Sequence, residues 1–187
     1  DLFMRVITGS ARGRRLVSAE GMDVRPTTDK VKESLFSIIQ FELEGRNVLD
    51  LFAGSGQLGI EAISRGAERA VFVDSSKKSV EIIKQNISLV HFEKESSVVF
   101  SDAFSYLAMA KEKFDIVILD PPYHKQLCDK AFALLPAVLK ETSVVICETQ
   151  SDEALPEKVA SLEIDREYKY SSVKLTVYRK PVKTEVE

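Results

Sequence analysis

The stretch Val48-Leu-Asp-Leu-Phe-Ala-Gly-Ser-Gly-Gln-Leu-Gly-Ile-Glu-Ala-Ile-Ser-Arg-Gly66 decides the fold that we predict for this chain. It runs from a short apolar segment through a glycine-rich turn into residues with helical periodicity, which is the pattern of a strand, a loop and a helix. Gly54, Gly56 and Gly59 keep the spacing G-x-G-x-x-G, which allows a sharp turn, close approach of a ligand to the backbone and tight packing of the helix on the strand. We therefore expect a small ligand to lie over this turn.

The glycine spacing by itself leaves three interpretations open: a methyl-donor site, a nicotinamide or flavin site, and a purely structural turn. A dinucleotide fold directs the helix N-terminus at a pyrophosphate, which a nearby carboxylate would repel. Asp50 stands at the end of the apolar segment, and its charge instead suits the amino group and sulfonium of S-adenosylmethionine. Asp74 closes the next apolar run and can bind the ribose hydroxyls of either cofactor, so it does not discriminate.

A second motif follows the apolar run at residues 116–119, which is typical of a buried parallel strand. The run ends in Asp120-Pro121-Pro122-Tyr123, and two prolines can continue neither a sheet nor a helix. The chain is therefore rigid at the strand end, which in a doubly wound sheet faces the ligand crevice.

The period of the apolar residues predicts alternating strands and helices, which indicates a parallel sheet covered on both faces. From residue 162 onward the pattern changes to two alternating segments, as in an antiparallel hairpin. A weaker hairpin pattern surrounds the turn-rich residues 9–13. The predicted strands are 48–51, 70–74, 97–101, 114–119 and 143–148, and the predicted helices are 57–65, 77–90, 104–111 and 125–140.

In this order, the glycine loop and D-P-P-Y resemble the class I S-adenosylmethionine-dependent methyltransferases that modify exocyclic amino groups of nucleobases. Two further stretches, Met4-Arg-Val-Ile-Thr-Gly-Ser-Ala-Arg-Gly-Arg-Arg-Leu16 and Arg25-Pro-Thr-Thr-Asp-Lys-Val-Lys-Glu-Ser-Leu-Phe36, narrow the resemblance to the RsmD-type 16S ribosomal RNA guanine-N2 methyltransferases. It implies a Rossmann-like α/β fold with a mostly parallel seven-stranded sheet, helices on both faces, a C-terminal antiparallel hairpin and an N-terminal β-hairpin extension. Residues 1–44 would form the extension, and residues 45–187 the methyltransferase domain.

The resemblance also implies a binding site for S-adenosylmethionine at the strand ends. Asp50 would take the methionine amino group, the glycine loop would lie against the carboxylate end, and Asp74 would hold the ribose. Asp102 would bond the adenine amino group, although an aspartate at this position equally suits a helix cap. The candidate cofactor residues are Asp50, Phe52, Ala53, Gly54, Ser55, Gly56, Asp74, Ser75, Asp102, Ala103 and Phe104.

The D-P-P-Y motif supplies the candidate catalytic residues, which are Asp120, Pro121, Pro122 and Tyr123. An aromatic amine has its lone pair delocalised into the ring, and acceptors around the NH2 group can turn that pair toward the methyl group. The Asp120 carboxylate and the Pro121 carbonyl can each accept one N–H, and the base can stack on Tyr123. No nucleophile or metal is required, because the donor sulfonium is already electrophilic.

Charge is unevenly distributed along the chain, although the net charge is only −3. From Arg5 to Lys32 there are seven basic and three acidic residues, which indicates a basic arm that attracts RNA phosphate. A solvated hairpin without a partner would have the same composition. The segment Arg25-Pro26-Thr27-Thr28 predicts a helix start, in which the threonines serve as caps or as substrate contacts. The candidate RNA-binding residues are Arg12, Arg14, Arg15, Arg25, Lys30 and Lys32.

The composition is that of one globular domain, since 187 residues can bury a substantial core. No apolar run approaches the ~20 residues of a membrane span. Cys128 and Cys147 are far apart in the sequence and lack metal-ligand spacing, so we expect neither a disulfide framework nor a bound metal. Because the sequence also begins without an export leader, we expect a cytoplasmic monomer whose partner is 16S rRNA in the small ribosomal subunit.

The sequence leaves other functions open. D-P-P-Y is shared with adenine-N6 methyltransferases of DNA or RNA, so the choice of guanine rests on the two N-terminal stretches. A non-catalytic RNA-binding module would leave Asp50, Asp74 and Asp120 without a joint explanation, and a nicotinamide enzyme would continue with further strand-helix units. The modified nucleotide is not specified, and the small size of the chain favours an assembled particle over free RNA as the substrate.

Overall fold

A single sheet forms the centre of the protein. The structure is a computed structural model that describes residues 4–18, 29–122 and 127–183, and in these ranges the sheet has eight strands. They are β1 (Asn47–Leu51), β2 (Arg69–Asp74), β3 (Ser96–Phe100), β4 (Phe114–Leu119), β5 (Leu139–Gln150), β6 (Lys158–Val159), β7 (Leu162–Tyr170) and β8 (Val173–Arg179). Their order is β3-β2-β1-β4-β5-β8-β7-β6. The first five are parallel to one another, and β8, β7 and β6 are antiparallel to their neighbours.

Helices cover both faces of the sheet and divide the apolar residues into two cores. The helices are α1 (Asp29–Ile38), α2 (Gln57–Ser64), α3 (Lys77–Val90), α4 (Ala103–Met109) and α5 (Leu127–Leu134). Side chains of α1, α2 and α3 pack in one core, and side chains of α4 and α5 pack in the other. This arrangement confirms the predicted doubly wound α/β fold with a C-terminal antiparallel hairpin.

One strand and one helix differ from the prediction. The sheet has eight strands in the described residues where seven were predicted, because the two-residue strand β6 adds to its edge beside β7. The helix predicted at 125–140 is also wrong in its second half. Here α5 ends at Leu134, a 3₁₀ turn covers Leu135–Val138, and β5 begins at Leu139. Pro136 lies in that turn, and a proline there cannot continue an α-helix because it has no N–H to donate.

The helix α3 has the bounds that its sequence predicts. The Ser76 hydroxyl caps it by accepting a hydrogen bond from Ser79 N at 3.3 Å. The helix ends at Val90, and the next residue, His91, adopts a left-handed φ of 61°. Its buried face includes Val80, Ile83, Ile87 and Val90. These residues recur with the helical period, so the helix can bury one stripe against the sheet.

Residues 4–18 fold back on themselves as a hairpin-like arm. Val6 N donates to Arg14 O at 2.9 Å and Leu16 N donates to Met4 O at 2.8 Å. In the described residues the arm has one isolated antiparallel bridge, between Arg5 and Arg15, rather than two regular strands. The predicted N-terminal hairpin is therefore confirmed, with less regular pairing than two full strands would have. We use "the arm" for residues 4–18 below.

The loops that carry the sequence motifs meet at one edge of the sheet. The strands β1, β2, β3 and β4 are parallel, so their carboxyl ends lie on the same side. The chain leaves β1 toward β2 on one side and returns to β4 on the other, and such a switch point opens a crevice for ligands. Among the described helices, none is both long and apolar enough to cross a membrane.

Candidate active site

The glycine loop between β1 and α2 is a tight turn that depends on glycine. Gly54 and Gly56 have φ values of 60° and 81°, in the left-handed region. Phe52 shares this conformation with a φ of 63°, which is unusual for a residue with a side chain. Gly59 is required for a different reason: a Cβ added there would lie 2.3 Å from the ring of Phe72. The third glycine thus brings α2 into direct contact with the sheet.

Asp50 lies at the base of this loop and is 1% exposed. Its Oδ2 accepts a hydrogen bond from Gly59 N at 3.0 Å, and its buried Oδ1 has no hydrogen-bond partner in the described part of the chain. Burial raises the pKa of Asp50 to about 8, the Gly59 N–H partly opposes that shift, and the charge of Asp74 adds to it. A buried carboxylate oxygen without a partner fits a cationic group, which would favour the ionised form.

Asp74, at the end of β2, connects its own strand to the glycine loop. One carboxylate oxygen accepts from Gly54 N at 2.8 Å and the other accepts from Ser76 N at 2.9 Å. Each oxygen has a second lone pair, so the carboxylate can still accept hydrogen bonds from ligand hydroxyls. Asp74 is half-buried and the adjacent Ser75 is exposed.

Asp102 caps helix α4, which is one of the two roles that the sequence suggested for it. Its Oδ1 accepts from Phe104 N at 3.1 Å and from Ser105 N at 2.9 Å. Hydrogen bonds from the side chain and backbone of Ser105 lower the pKa of Asp102, so its carboxylate is charged at neutral pH. The role of Asp102 toward adenine stays a prediction.

An aromatic pair connects the glycine loop with the start of α4. The rings of Phe52 and Phe104 lie edge to face with their centroids 6.5 Å apart. Phe52, Ala53, Ala103 and Phe104 are all half-buried or buried. Phe52 and Phe104, which are 52 positions apart in the sequence, are therefore in contact.

The Asp120-Pro121-Pro122 segment lies next to the glycine loop. Leu119 is paired with Leu51 in the parallel register of β4 and β1, so the residues that follow each strand leave the sheet side by side. Asp120 is half-buried, Pro121 is buried and Pro122 is exposed. Tyr123, the fourth catalytic candidate, lies outside the described residues.

The arm presents most of the predicted basic residues to solvent. Arg12, Arg14 and Arg15 are exposed, as is Lys30 in the first turn of α1. Arg25, Thr27 and Thr28 lie outside the described residues.

The prediction that Lys32 contacts RNA is wrong. Its side chain is 0% exposed, its Nζ donates to Arg5 O at 2.8 Å, and the same atom lies 3.5 Å from Glu61 Oε2. Burial lowers the pKa of Lys32, and the Glu61 carboxylate opposes that shift. The ammonium group is therefore part of the core between α1, α2 and the arm.

Sequence reasoning missed the polar residues that attach the arm to the domain. Glu61 accepts hydrogen bonds from Ile7 N and Thr8 N at 3.0 Å each, and the Ser64 hydroxyl donates to Thr8 O at 2.7 Å. A Cβ added to Gly9 would lie 1.8 Å from Ser64 O, so the arm touches α2 without a gap. The sequence signal is weak: Glu61 and Ser64 are two polar residues, three apart, in the second half of a helix that also begins with the polar residue Gln57.

The two cysteines are close in space although they are far apart in sequence. The Sγ atoms of Cys128 and Cys147 are 3.8 Å apart, and both thiols are free and buried. Within residues 4–18, 29–122 and 127–183, no three His, Cys, Asp or Glu residues group as metal ligands.

Known proteins resemble this chain along nearly its whole length. A protein-family model described as "Conserved hypothetical protein 95" matches residues 4–179. The chain is 40% identical over 182 residues to the Bacillus subtilis protein "Putative rRNA methyltransferase YlbH". This alignment covers 95% of this chain and 99% of that protein. It is 31% identical over 184 residues to "Ribosomal RNA small subunit methyltransferase D" of Escherichia coli K12, with 97% and 92% covered. The solved structure "Putative methyltransferase yhhF from Escherichia coli" has a TM-score of 0.85 and 32% identity, with 95% and 97% of the two chains covered.

Proposed function

Because this chain belongs to the family described as Conserved hypothetical protein 95, together with the ribosomal RNA small subunit methyltransferase D proteins, we propose that it methylates 16S ribosomal RNA. In the proposed reaction, a methyl group passes from S-adenosylmethionine to the exocyclic N2 of a guanine. The observation that carries this proposal is the register of β1 and β4, which puts the glycine loop and the Asp120-Pro121-Pro122 segment side by side.

The donor site that we propose uses the ends of β1, β2 and β3. S-adenosylmethionine, when bound, supplies an electrophilic methyl group. Asp50 provides negative charge for the amino group, and since it is 1% exposed, a water or the loop backbone would relay this contact. Asp74 accepts from the ribose hydroxyls, and Asp102 accepts from the adenine amino group. Phe52 and Phe104 form an apolar contact for the adenine ring, and the remaining candidates, Ala53, Gly54, Ser55, Gly56, Ser75 and Ala103, line the path between them.

The acceptor site that we propose is the segment after β4. The Asp120 carboxylate and the Pro121 carbonyl each accept one N–H of the target amine, which directs the nitrogen lone pair toward the donor. The same carboxylate stabilises the positive charge that develops on nitrogen. The two prolines hold these acceptors in place because their φ angles are fixed. Tyr123 offers a ring on which the target base stacks.

The RNA contact that we propose is the arm, with Arg12, Arg14 and Arg15, together with Lys30 of α1 and Arg25. Arginine binds phosphate with two parallel hydrogen bonds and also stacks on unpaired bases. The arm packs directly on α2, the helix that follows the glycine loop, so an RNA bound to the arm lies close to the donor site.

We further propose that the protein acts as a monomer on an assembled particle, since so small a chain has little surface for reading RNA sequence.

The test is transfer of a labelled methyl group from S-adenosylmethionine to small ribosomal subunits that lack the modification, followed by nucleoside analysis. We expect N2-methylguanosine, and a slower reaction on free 16S rRNA than on the subunit. A product of N6-methyladenosine would contradict the choice of guanine while leaving the donor and acceptor sites in place. No transfer to either substrate would contradict the proposed function as a whole.

A further inference from the structure

The glycine loop has a contact that the proposed reaction does not use. Ser55, between Gly54 and Gly56, offers its carbonyl oxygen to Asn86 Nδ2 at 2.9 Å. Asn86 lies on α3 and is 0% exposed. A buried amide in an apolar helix face is costly unless its donors and acceptor are all paired. The other hydrogen bonds of Asn86 therefore indicate which segments it connects.

The remaining hydrogen bonds of Asn86 go to the arm. Its Oδ1 accepts from Val17 N at 2.7 Å, and its Nδ2 donates to Val17 O at 2.9 Å. The side chain thus pairs with the backbone of Val17 on one side and with the carbonyl of Ser55 on the other. Both amide hydrogens and the amide oxygen are satisfied, which fixes the orientation of the group.

The beginning of the arm reaches the same loop residue. The Ser55 hydroxyl donates to Met4 Sδ at 3.4 Å, and Met4 O in turn accepts from Leu16 N at 2.8 Å. Ser55 therefore contacts the first described residue of the arm directly, and residue 17 near its end through Asn86. The arm, Asn86 and the glycine loop form one continuous hydrogen-bonded unit.

We propose that Asn86 is a positioning residue for methyl-donor binding, through which the attachment of the arm sets the conformation of the glycine loop. This inference rests on the proposed donor site. Without the Asn86 bond, the peptide between Ser55 and Gly56 loses its tertiary anchor and the loop samples more conformations. Ligand binding must then order the loop, and the entropy of that ordering weakens binding. The arm that contacts RNA and the loop that contacts the donor are in this way coupled.

The test is the affinity of the purified full-length protein for S-adenosylhomocysteine, measured by titration calorimetry. We expect Asn86→Ala to weaken binding about tenfold, because the ligand must then order the released loop at a cost comparable to one buried hydrogen bond. Gln85→Ala is the matched control, because it removes an exposed amide from the same helix, and it should bind as the unmodified protein does. In methyl transfer, Asn86→Ala should raise KM for the donor and leave kcat nearly unchanged.

A second pair of variants tests the arm without altering α3 or the loop. Val17→Pro removes the N–H that Asn86 accepts, whereas Val17→Ala keeps it. We expect Val17→Pro to weaken S-adenosylhomocysteine binding about threefold, since it removes one of several bonds, and Val17→Ala to have no effect. This pair also remains informative if Asn86→Ala fails to fold.

The outcomes separate this inference from the proposed function. Absence of S-adenosylhomocysteine binding to the unmodified protein would overturn the donor site and this inference with it. Binding that is intact in the unmodified protein and unchanged in Asn86→Ala would overturn the inference alone. An effect of Asn86→Ala without a difference between Val17→Pro and Val17→Ala would contradict the role of the arm.

Discussion

The proposed donor side and the proposed acceptor side of the crevice are held in different ways. Hydrogen bonds to other elements hold the glycine loop and the start of α2: Gly54 N bonds Asp74, Ser55 O bonds Asn86 and Gly59 N bonds Asp50. The Asp120-Pro121-Pro122 segment instead contains two residues without an N–H, whose φ angles are fixed by their rings. Hydrogen bonds between elements therefore shape the glycine loop, and the rings of two prolines stiffen the segment after β4. Substitutions should separate donor binding from methyl transfer.

The largest expected effect is that of Asp120→Ala on methyl transfer. Removing the carboxylate takes away one acceptor and the stabilising charge, and we expect the single-turnover rate to fall about 10²- to 10³-fold, as for other electrostatic groups in active sites. Asp120→Asn keeps one acceptor oxygen and should lose less. S-adenosylhomocysteine affinity should stay within about twofold for both, because the donor side is held independently. A parallel loss of affinity and rate would contradict the separation of the two sides.

The next effect concerns Gly59, which brings α2 against the sheet. In Gly59→Ala the new Cβ meets the ring of Phe72 at 2.3 Å, and we expect the free energy of unfolding to fall by about 1–3 kcal/mol, as in other overpacked cores. Donor affinity should fall with it, since Gly59 N also bonds Asp50. Urea unfolding and calorimetry measure the two quantities.

Gly45→Ala is the control for Gly59→Ala. Gly45 has a φ of 71°, and an added Cβ would have no atom within 4 Å. In Gly45→Ala the free energy of unfolding should therefore fall only by the cost of the left-handed conformation, about 1–2 kcal/mol, and donor affinity should be unchanged. If Gly59→Ala bound S-adenosylhomocysteine as tightly as Gly45→Ala, the glycine loop would not depend on the packing of α2.

Asp50 should make donor binding depend on pH. Burial raises its pKa from 3.8 to about 8, so the free protein carries a proton there at neutral pH. A cationic ligand favours the ionised form and releases that proton, so affinity should increase as the pH rises toward 8, by at most about tenfold per pH unit. Calorimetry across this range should show the slope in the unmodified protein and a flat profile in Asp50→Asn.

The same pKa has a consequence for stability with the opposite sign. The unfolded carboxyl ionises near 3.8, whereas the buried one keeps its proton up to about 8. The contribution of Asp50 to the free energy of unfolding is therefore fully present below pH 3.8 and is lost as the pH rises to about 8. Subtracting the pH profile of Asp50→Asn from that of the unmodified ligand-free protein isolates it, and a difference that grew with pH would contradict the assignment.

The smallest effect is expected from single arginines of the arm. Arg12→Ala and Arg14→Ala should each weaken RNA binding a few-fold and lower the slope of log affinity against log salt by about one. S-adenosylhomocysteine binding should not change, because both side chains are exposed to solvent. Lys94→Ala is the control. Lys94 is exposed just before β3, at the amino ends of the parallel strands, whereas the motifs lie at their carboxyl ends. An equal loss in Lys94→Ala would mean that RNA binding does not involve the arm specifically.

The sequence predicts those features of the fold that depend on local pattern. Helix α3 has the predicted bounds because its cap at Ser76 and its apolar stripe lie within one segment. The helix predicted at 125–140 extends past the end of α5 because the apolar residues keep the helical period beyond Pro136, where the structure has a 3₁₀ turn. The position of Lys32 could have been predicted. It precedes Leu35, Phe36 and Ile39 by three, four and seven residues, so the helical period itself puts Lys32 on the buried stripe.

Features that depend on distant contacts were not predictable from the pattern. Glu61, Ser64 and Asn86 hold the arm through its backbone. The side chains of the arm therefore give no sequence signal of these contacts. The proximity of Cys128 and Cys147 likewise follows from how α5 packs on β5, which sequence spacing does not encode. For the donor candidates, the motif predicts which residues lie at the edge of the sheet, and the structure adds the exceptional burial of Asp50.

The most direct test of this account is a crystal structure of the protein with S-adenosylhomocysteine. We predict that the ribose hydroxyls bond Asp74, that the amino group lies on the side of Asp50, and that the sulfur faces Asp120 across the gap between the glycine loop and the segment after β4. A ligand bound elsewhere, or one whose sulfur points away from Asp120, would contradict the assignment of the donor and acceptor sides.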